Sequence, residues 1–139
     1  MVLQHIRECF GCGADNAVSL GVVHSAMDEG VESRVRFGRE HQGAPGLVHG
    51  GLLATFLDET MGAIPVEVPF TRVTAEMHLR YRRPTPIGTE LVCRARAGDV
   101  SSGRYTVDAT IVDAAAPDVV LVEGRATYVV LDRERRDRH

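Results

Sequence analysis

Lysine is missing from this chain: all 16 of its basic residues are arginine. That excludes a Schiff-base lysine and a phosphate-loop lysine from any chemistry the chain performs. No Gly-x-Ser-x-Gly elbow occurs either, so the usual strained serine nucleophile is absent. No apolar run approaches the ~18 residues of a membrane span. Residues Met1 to Arg7 lack the basic start and apolar stretch of an export signal. Cysteine is scarce and odd in number, with only Cys9, Cys12 and Cys93, which points to free thiols and a cytoplasmic location rather than a disulfide framework. The 16 basic residues stand against 19 acidic ones, and a net charge of −3 leaves no electrostatic footprint for nucleic acid.

What is present suits one domain. The 139 residues can build a core without staples, and no linker or internal repeat divides them. The expected core runs from about residue 18 to 131, with an N-terminal segment, 1–17, and a charged tail, 132–139. Residues Leu20 to His24 and Val31 to Phe37 read as strands joined by a turn at Asp28-Glu29-Gly30. A helix is expected from about Gly50 to Ile64, where Leu53, Phe56, Leu57, Thr60, Met61 and Ile64 form an apolar stripe closed by Pro65. Strands follow at Arg72 to Tyr81, Leu91 to Ala97, Tyr105 to Ile111 and Val119 to Val130. Turns are expected at Pro84 to Gly88, Ser101 to Gly103 and Ala116 to Asp118. In the first of these strands Val73, Ala75, Met77, Leu79 and Tyr81 alternate with Arg72, Thr74, Glu76, His78 and Arg80. One long helix and a run of antiparallel strands make an α+β domain, its sheet wrapped around the helix.

The chemistry concentrates in His41-Gln42-Gly-Ala-Pro45-Gly46-Leu-Val-His49-Gly50-Gly51 and the helix it opens. A helix start built on glycine offers bare N–H groups to a polarised carbonyl oxygen or an anion. Asp58, two turns inside an apolar helix, has no propensity reason to be there. The pair reads as an oxyanion hole and an acid or base. The plainer alternative is close packing at the glycines and a structural ion pair at Asp58.

Several motifs in order resemble one family: His41, Pro45-Gly46, His49-Gly50-Gly51, Asp58-Glu59-Thr60-Met61-Gly62 and Tyr81-Arg-Arg-Pro84…Gly88, preceded by Cys9-Phe-Gly-Cys12-Gly…Asn16…Leu20-Gly21. The chain resembles hotdog-fold acyl-CoA thioesterases of the PaaI-like group, in the 4-hydroxybenzoyl-CoA thioesterase superfamily. The resemblance implies hydrolysis of an acyl-CoA thioester, with coenzyme A entering as part of the substrate and no other cofactor. It implies a homo-oligomer, a dimer or a dimer of dimers, with active sites between subunits. Asp58 takes the place of the catalytic carboxylate, as nucleophile or as the base that activates water. The Gly50 N–H takes the place of the carbonyl-polarising group, and Thr74 that of a hydroxyl that helps hold the attacking water. His41, Gln42, His49 and Gly51 fall in the substrate-binding loop. One departure stands out: Gly43 occupies the position where certain relatives carry a second polarising side chain, an asparagine.

Spacing adds a constraint of its own. Gly50 and Asp58 lie ~12 Å apart along a helix, whereas one carbonyl must sit about 3 Å from both an oxyanion donor and the reacting group. If both act on one thioester, they come from two copies of the helix, antiparallel across a two-fold axis. Helical phase puts Asp58 on the flank of Gly51, Ala54 and Gly62, and turns Glu59 toward Leu52 and Thr55 as a surface or structural carboxylate. Arg80, Arg82 and Arg83 could meet the phosphates of coenzyme A or simply solvate a strand end. His78 reads as a satisfied surface or interface histidine. Cys9-x-x-Cys12, with His5 and His24 available on paper, fits no standard zinc spacing, so a packing or turn motif is preferred and no metal is assigned. Cys93 reads as an inert core thiol.

Two rival readings stand beside this one. A hotdog hydratase pairs a loop histidine with an acid fourteen residues on, but those positions hold Thr55 and Ala63. A non-catalytic acyl-CoA binding or sensing module would keep the arginines and glycines without needing Asp58. The acyl pocket is expected to draw on Val66 to Phe70 and on the partner subunit. Low aromatic content does not choose between aryl and aliphatic acyl groups.

Overall fold

A computed structural model describes residues 2–3, 6–65, 71–101 and 103–131. His5, the segment Val66 to Phe70 and the charged tail lie outside the described residues, as do the expectations that fall on them. The strands are β1 (Val2–Leu3), β2 (Val23–Met27), β3 (Gly30–Arg36), β4 (Thr71–Tyr81), β5 (Glu90–Ser101), β6 (Arg104–Asp113) and β7 (Ala116–Leu131). They form one sheet in the order β1-β2-β3-β5-β6-β7-β4, and each neighbouring pair is antiparallel. The helix α1 (Gly50–Gly62) packs against β3, β4, β5, β6 and β7, so the sheet curls around it. This is the hotdog arrangement expected from the sequence.

The expected stripe is the buried face of the helix: Leu53, Phe56, Leu57, Thr60, Met61 and Ile64 are all buried. Phe56 meets Phe37 edge to face, with centroids 6.2 Å apart. From the sheet, Val31, Cys93, Ala95, Val107, Ile111 and Val122 close the core. Buried side chains of this size each contribute about 1.5–3 kcal/mol by leaving water. Thr60, polar within that stripe, gives its hydroxyl to the Phe56 carbonyl at 2.8 Å, so the buried oxygen costs little.

Four expectations need correction. The first long strand runs over Val23–Met27 rather than from Leu20 to His24, because β2 is registered by its pairing with β3, Val23 opposite Arg34 through Met27 opposite Gly30. The helix ends at Gly62, with Ala63 as its cap, before Ile64. The turn into the last strand is Ala114-Ala115, where the Asp113 carboxylate accepts the Ala115 N–H at 2.8 Å, and Ala116 to Asp118 already belong to β7. The unbroken alternation expected through β4 is broken instead. Thr74 pairs with Tyr128 and Glu76 with Thr127, so Ala75 is the extra residue of a bulge. A one-residue insertion exchanges the faces of a strand. Thr74 therefore shares the helix-facing side with Met77, Leu79 and Tyr81, and not with Glu76, His78 and Arg80.

Candidate active site

The helix begins at a cap supplied by a histidine. His49 is the N-cap, and its Nδ1 accepts the Gly51 N–H at 3.0 Å. His41 acts in the same way on its own loop, accepting the Gly38 N–H at Nδ1 (3.0 Å) while its ring meets Phe37 edge-on. Gln42 accepts the Gly46 N–H at 3.1 Å. These three side chains shape the loop as acceptors. The Gly51 N–H is thereby committed, whereas no acceptor for the Gly50 N–H occurs among the described residues. The first turn of the helix thus presents one open donor at the place the sequence reading singled out. At Gly43 an asparagine would find little room, since a Cβ there would stand 3.1 Å from the His49 Cα.

Around that donor lies a cavity of about 640 Å³ whose wall includes His49, Gly50, Tyr81, Arg82, Arg83 and Thr85. A smaller recess of about 370 Å³ shares His49 and adds His41, Gln42 and Gly51. Two residues in the larger wall were given no role from sequence, Tyr81 having been named only as part of a strand and a family motif. The Tyr81 hydroxyl donates to the Gly50 carbonyl at 2.7 Å, fixing the peptide plane just beyond the open N–H. Thr85, 2% exposed, carries a hydroxyl without a partner among the described residues. Arg82 is engaged with Glu123 at 2.7 Å. Arg80 is not brought to this cavity. It lies on the outer face of the sheet with His78, Arg94, Arg96 and Arg125, and His78 hydrogen-bonds Glu76 there.

Asp58 sits at the other end of the helix, half-buried beneath β4 and β7. Thr74 Oγ1 donates to its Oδ1 at 2.7 Å, and the Tyr128 hydroxyl donates to the same Oδ1 at 2.7 Å. Tyr128 also reaches the Asp58 carbonyl at 3.0 Å. The bulge at Ala75 is what turns Thr74 toward the helix. Tyr128 is nearly fully buried and stacks on Tyr105, their centroids 5.3 Å apart. Burial, then the negative charge of Asp58, pushes the Tyr128 hydroxyl well above its ordinary range, so it remains a donor. With both hydroxyls on Oδ1, the carboxylate is held in one orientation and Oδ2 is left without a partner among the described residues. Tyr128 too was missed from sequence; only the register of β7 places it over Asp58.

Glu59, one residue on, takes a separate path as helical phase requires. It is a structural carboxylate rather than a surface one. Its side chain is 14% exposed, and Oε1 lies 3.1 Å from Nε2 of the buried His24. Cys9 and Cys12 converge on the same carboxylate.

Comparison with known proteins identifies the fold and the family. The family model of the thioesterase superfamily matches residues 45–120. Among curated relatives, mouse acyl-coenzyme A thioesterase THEM4 is 28% identical over 120 residues, covering 84% of this chain and 51% of that protein. Mouse acyl-coenzyme A thioesterase 13 is 31% identical, covering 60% of this chain and 61% of its own. The chain thus spans about half to three-fifths of the length of these relatives. Of solved structures, a thioesterase superfamily protein, RHA08564, superposes with a TM-score of 0.79 at 30% identity, over 88% of this chain and 60% of that one. The Escherichia coli PaaI protein superposes with a TM-score of 0.74 at 19% identity, over 84% and 83%, a likeness of fold. The family match over more than half of its residues and the shared fold show that the chain belongs to the thioesterase superfamily.

Proposed function

We propose that this protein hydrolyses an acyl-CoA thioester to the free acid and coenzyme A, at sites shared between two copies of the chain. The observation that carries the reading is Asp58: a carboxylate in an apolar helix, oriented by two hydroxyls on one oxygen and open at the other. Oδ2 accepts a proton from a water, and the oxygen of that water attacks the thioester carbonyl. The oxyanion that forms is met by the Gly50 N–H of the partner helix. Collapse breaks the carbon–sulfur bond, and the coenzyme A thiolate leaves and is protonated. A thiolate is a far better leaving group than an alkoxide, so a positioned water, a carboxylate and one oxyanion donor suffice. Thr74 acts by aiming Asp58, and its hydroxyl oxygen keeps lone pairs for the attacking water. Arg83, in the wall of the Gly50 cavity, is the arginine best placed for a phosphate of coenzyme A. Arg82 could join it only by sharing its guanidinium with Glu123. The names of the curated relatives supply the substrate class.

The test is thiol release from short, medium, long and aryl acyl-CoAs, with wild type beside Asp58→Asn. The expected result is turnover of at least one thioester and a loss of two orders of magnitude or more in kcat for the variant, about the contribution of a positioned general base. Binding of thioesters without cleavage by wild type would replace this reading with that of an acyl-CoA binding module.

A further inference from the structure

The Cys9–Cys12 pair is absorbed by no step of the proposed reaction, yet the fold builds a site around it. The loop that carries both cysteines closes on itself, the Gly13 N–H donating to the Cys9 carbonyl at 2.8 Å. It docks beside β2 through Leu20 N–H to the Phe10 carbonyl and Val22 N–H to the Gly11 carbonyl, both 2.9 Å. Glu59 reaches out of the catalytic helix into this loop. A Cβ on Gly11 would stand 2.5 Å from the Glu59 carboxyl carbon, so a side chain at residue 11 would displace Glu59 from this position. The Cys9 sulfur lies 3.4 and 3.6 Å from the two Glu59 oxygens, and the ligating atoms of Cys9, Cys12 and Glu59 all lie within 4.8 Å of one another. Behind them, His24, 1% exposed, has Nε2 3.1 Å from Glu59 Oε1 and Nδ1 2.5 Å from Ser33 Oγ. A carboxylate only accepts, so Nε2 is the donor and both ring nitrogens are engaged.

We infer that Cys9, Cys12 and Glu59 bind a zinc ion that fastens the N-terminal loop to the catalytic helix. Bond lengths of ~2.3 Å to sulfur and ~2.0 Å to oxygen at a tetrahedral angle require a sulfur–oxygen separation of about 3.5 Å, which is the separation Cys9 and Glu59 already have. Two soft thiolates with one oxygen select Zn²⁺ among common divalent ions. Solvent completes the tetrahedron. His24 serves as the outer partner that orients the ligating carboxylate, a role second-shell groups regularly fill. On binding, each thiol loses its proton to water as its sulfur takes a coordinate bond, so uptake releases protons and strengthens as pH rises. The C-x-x-C spacing alone could not show this, because the third ligand arrives from fifty residues away.

Metal uptake tests the inference independently of thioester turnover. Reduced wild-type protein, stripped with chelator and titrated with Co²⁺, is expected to bind about one equivalent per chain and to develop a thiolate-to-cobalt charge-transfer band that Zn²⁺ abolishes. Cys9→Ser and Cys12→Ser each cut uptake at least tenfold. Glu59→Gln keeps the charge-transfer band but weakens binding at least tenfold. Cys93→Ser, which alters a buried thiol elsewhere in the core, retains full uptake. Circular dichroism of each metal-free variant establishes that it is folded. Failure of folded, reduced wild type to bind either ion, or uptake by Cys9→Ser and Cys12→Ser equal to that of wild type, would overturn the site.

Discussion

The separation of roles between Asp58 and Glu59 rests on what each carboxylate touches. Asp58 meets two hydroxyls that donate to a single oxygen. Glu59 meets a histidine and two thiols; burial works to raise its pKa, but hydrogen bonds, from His24 first, hold it down at about 2. Tyr128 is the residue whose loss separates orientation from chemistry. Tyr128→Phe keeps the ring stacked on Tyr105 and deletes one donor to a charged acceptor, a bond worth about 1.5–3 kcal/mol. The expected outcome is a fall in kcat of roughly tenfold or more with KM nearly unchanged, and a denaturant midpoint lowered by an amount within that range. An unchanged kcat would mean that Thr74 alone aims Asp58. From sequence, Asp58 stood out because an acid in an apolar helix breaks a pattern, and helical phase set it on a different flank from Glu59. Tyr128 and Tyr81 broke no pattern, and their partners lie 70 and 31 residues away.

At the scale of the element, the helix start can be tested without breaking the helix. Gly50 is the first helical residue, and proline is well tolerated there because that N–H has no partner within the helix. His49 already has the extended ψ of 130° that a following proline prefers. A Cβ at Gly50 would stand 3.6 Å from the Tyr81 ring, an ordinary contact. Gly50→Pro therefore removes the proposed oxyanion donor and little else. The expected result is a loss of kcat of about 10²–10³, the usual cost of one such donor, with a melting temperature close to wild type; a variant as active as wild type would move the oxyanion site elsewhere. The apolar stripe of this helix was plain from its period. The course of β4 was not, because a bulge leaves the local alternation of residue types intact and shows only in the pairing with β7. That single extra residue decides whether Thr74 reaches the helix or faces solvent.

At the scale of the whole molecule, one chain holds the two parts of the proposed site far apart. Tyr81 and the open N–H of Gly50 mark one end of the helix; Thr74, Tyr128 and Asp58 mark the other. A step of eight residues along the helix, ~12 Å, separates Gly50 from Asp58. The two-fold pairing proposed to unite them follows from the sequence as a distance argument. The N-terminal loop was not, since Cys9, Cys12, His24 and Glu59 come together only through the sheet order and the helix phase. The central claim is that the carboxylate and the oxyanion donor of each site come from different chains. It is tested most directly by mixing Asp58→Asn with Gly50→Pro, unfolding and refolding the 1:1 mixture, and measuring thiol release. Random pairing makes half the dimers mixed, each with one intact site of two, so the account predicts recovery to about a quarter of wild-type activity from two nearly inactive parents. A mixture no more active than its parents, with subunit exchange confirmed, would contradict it.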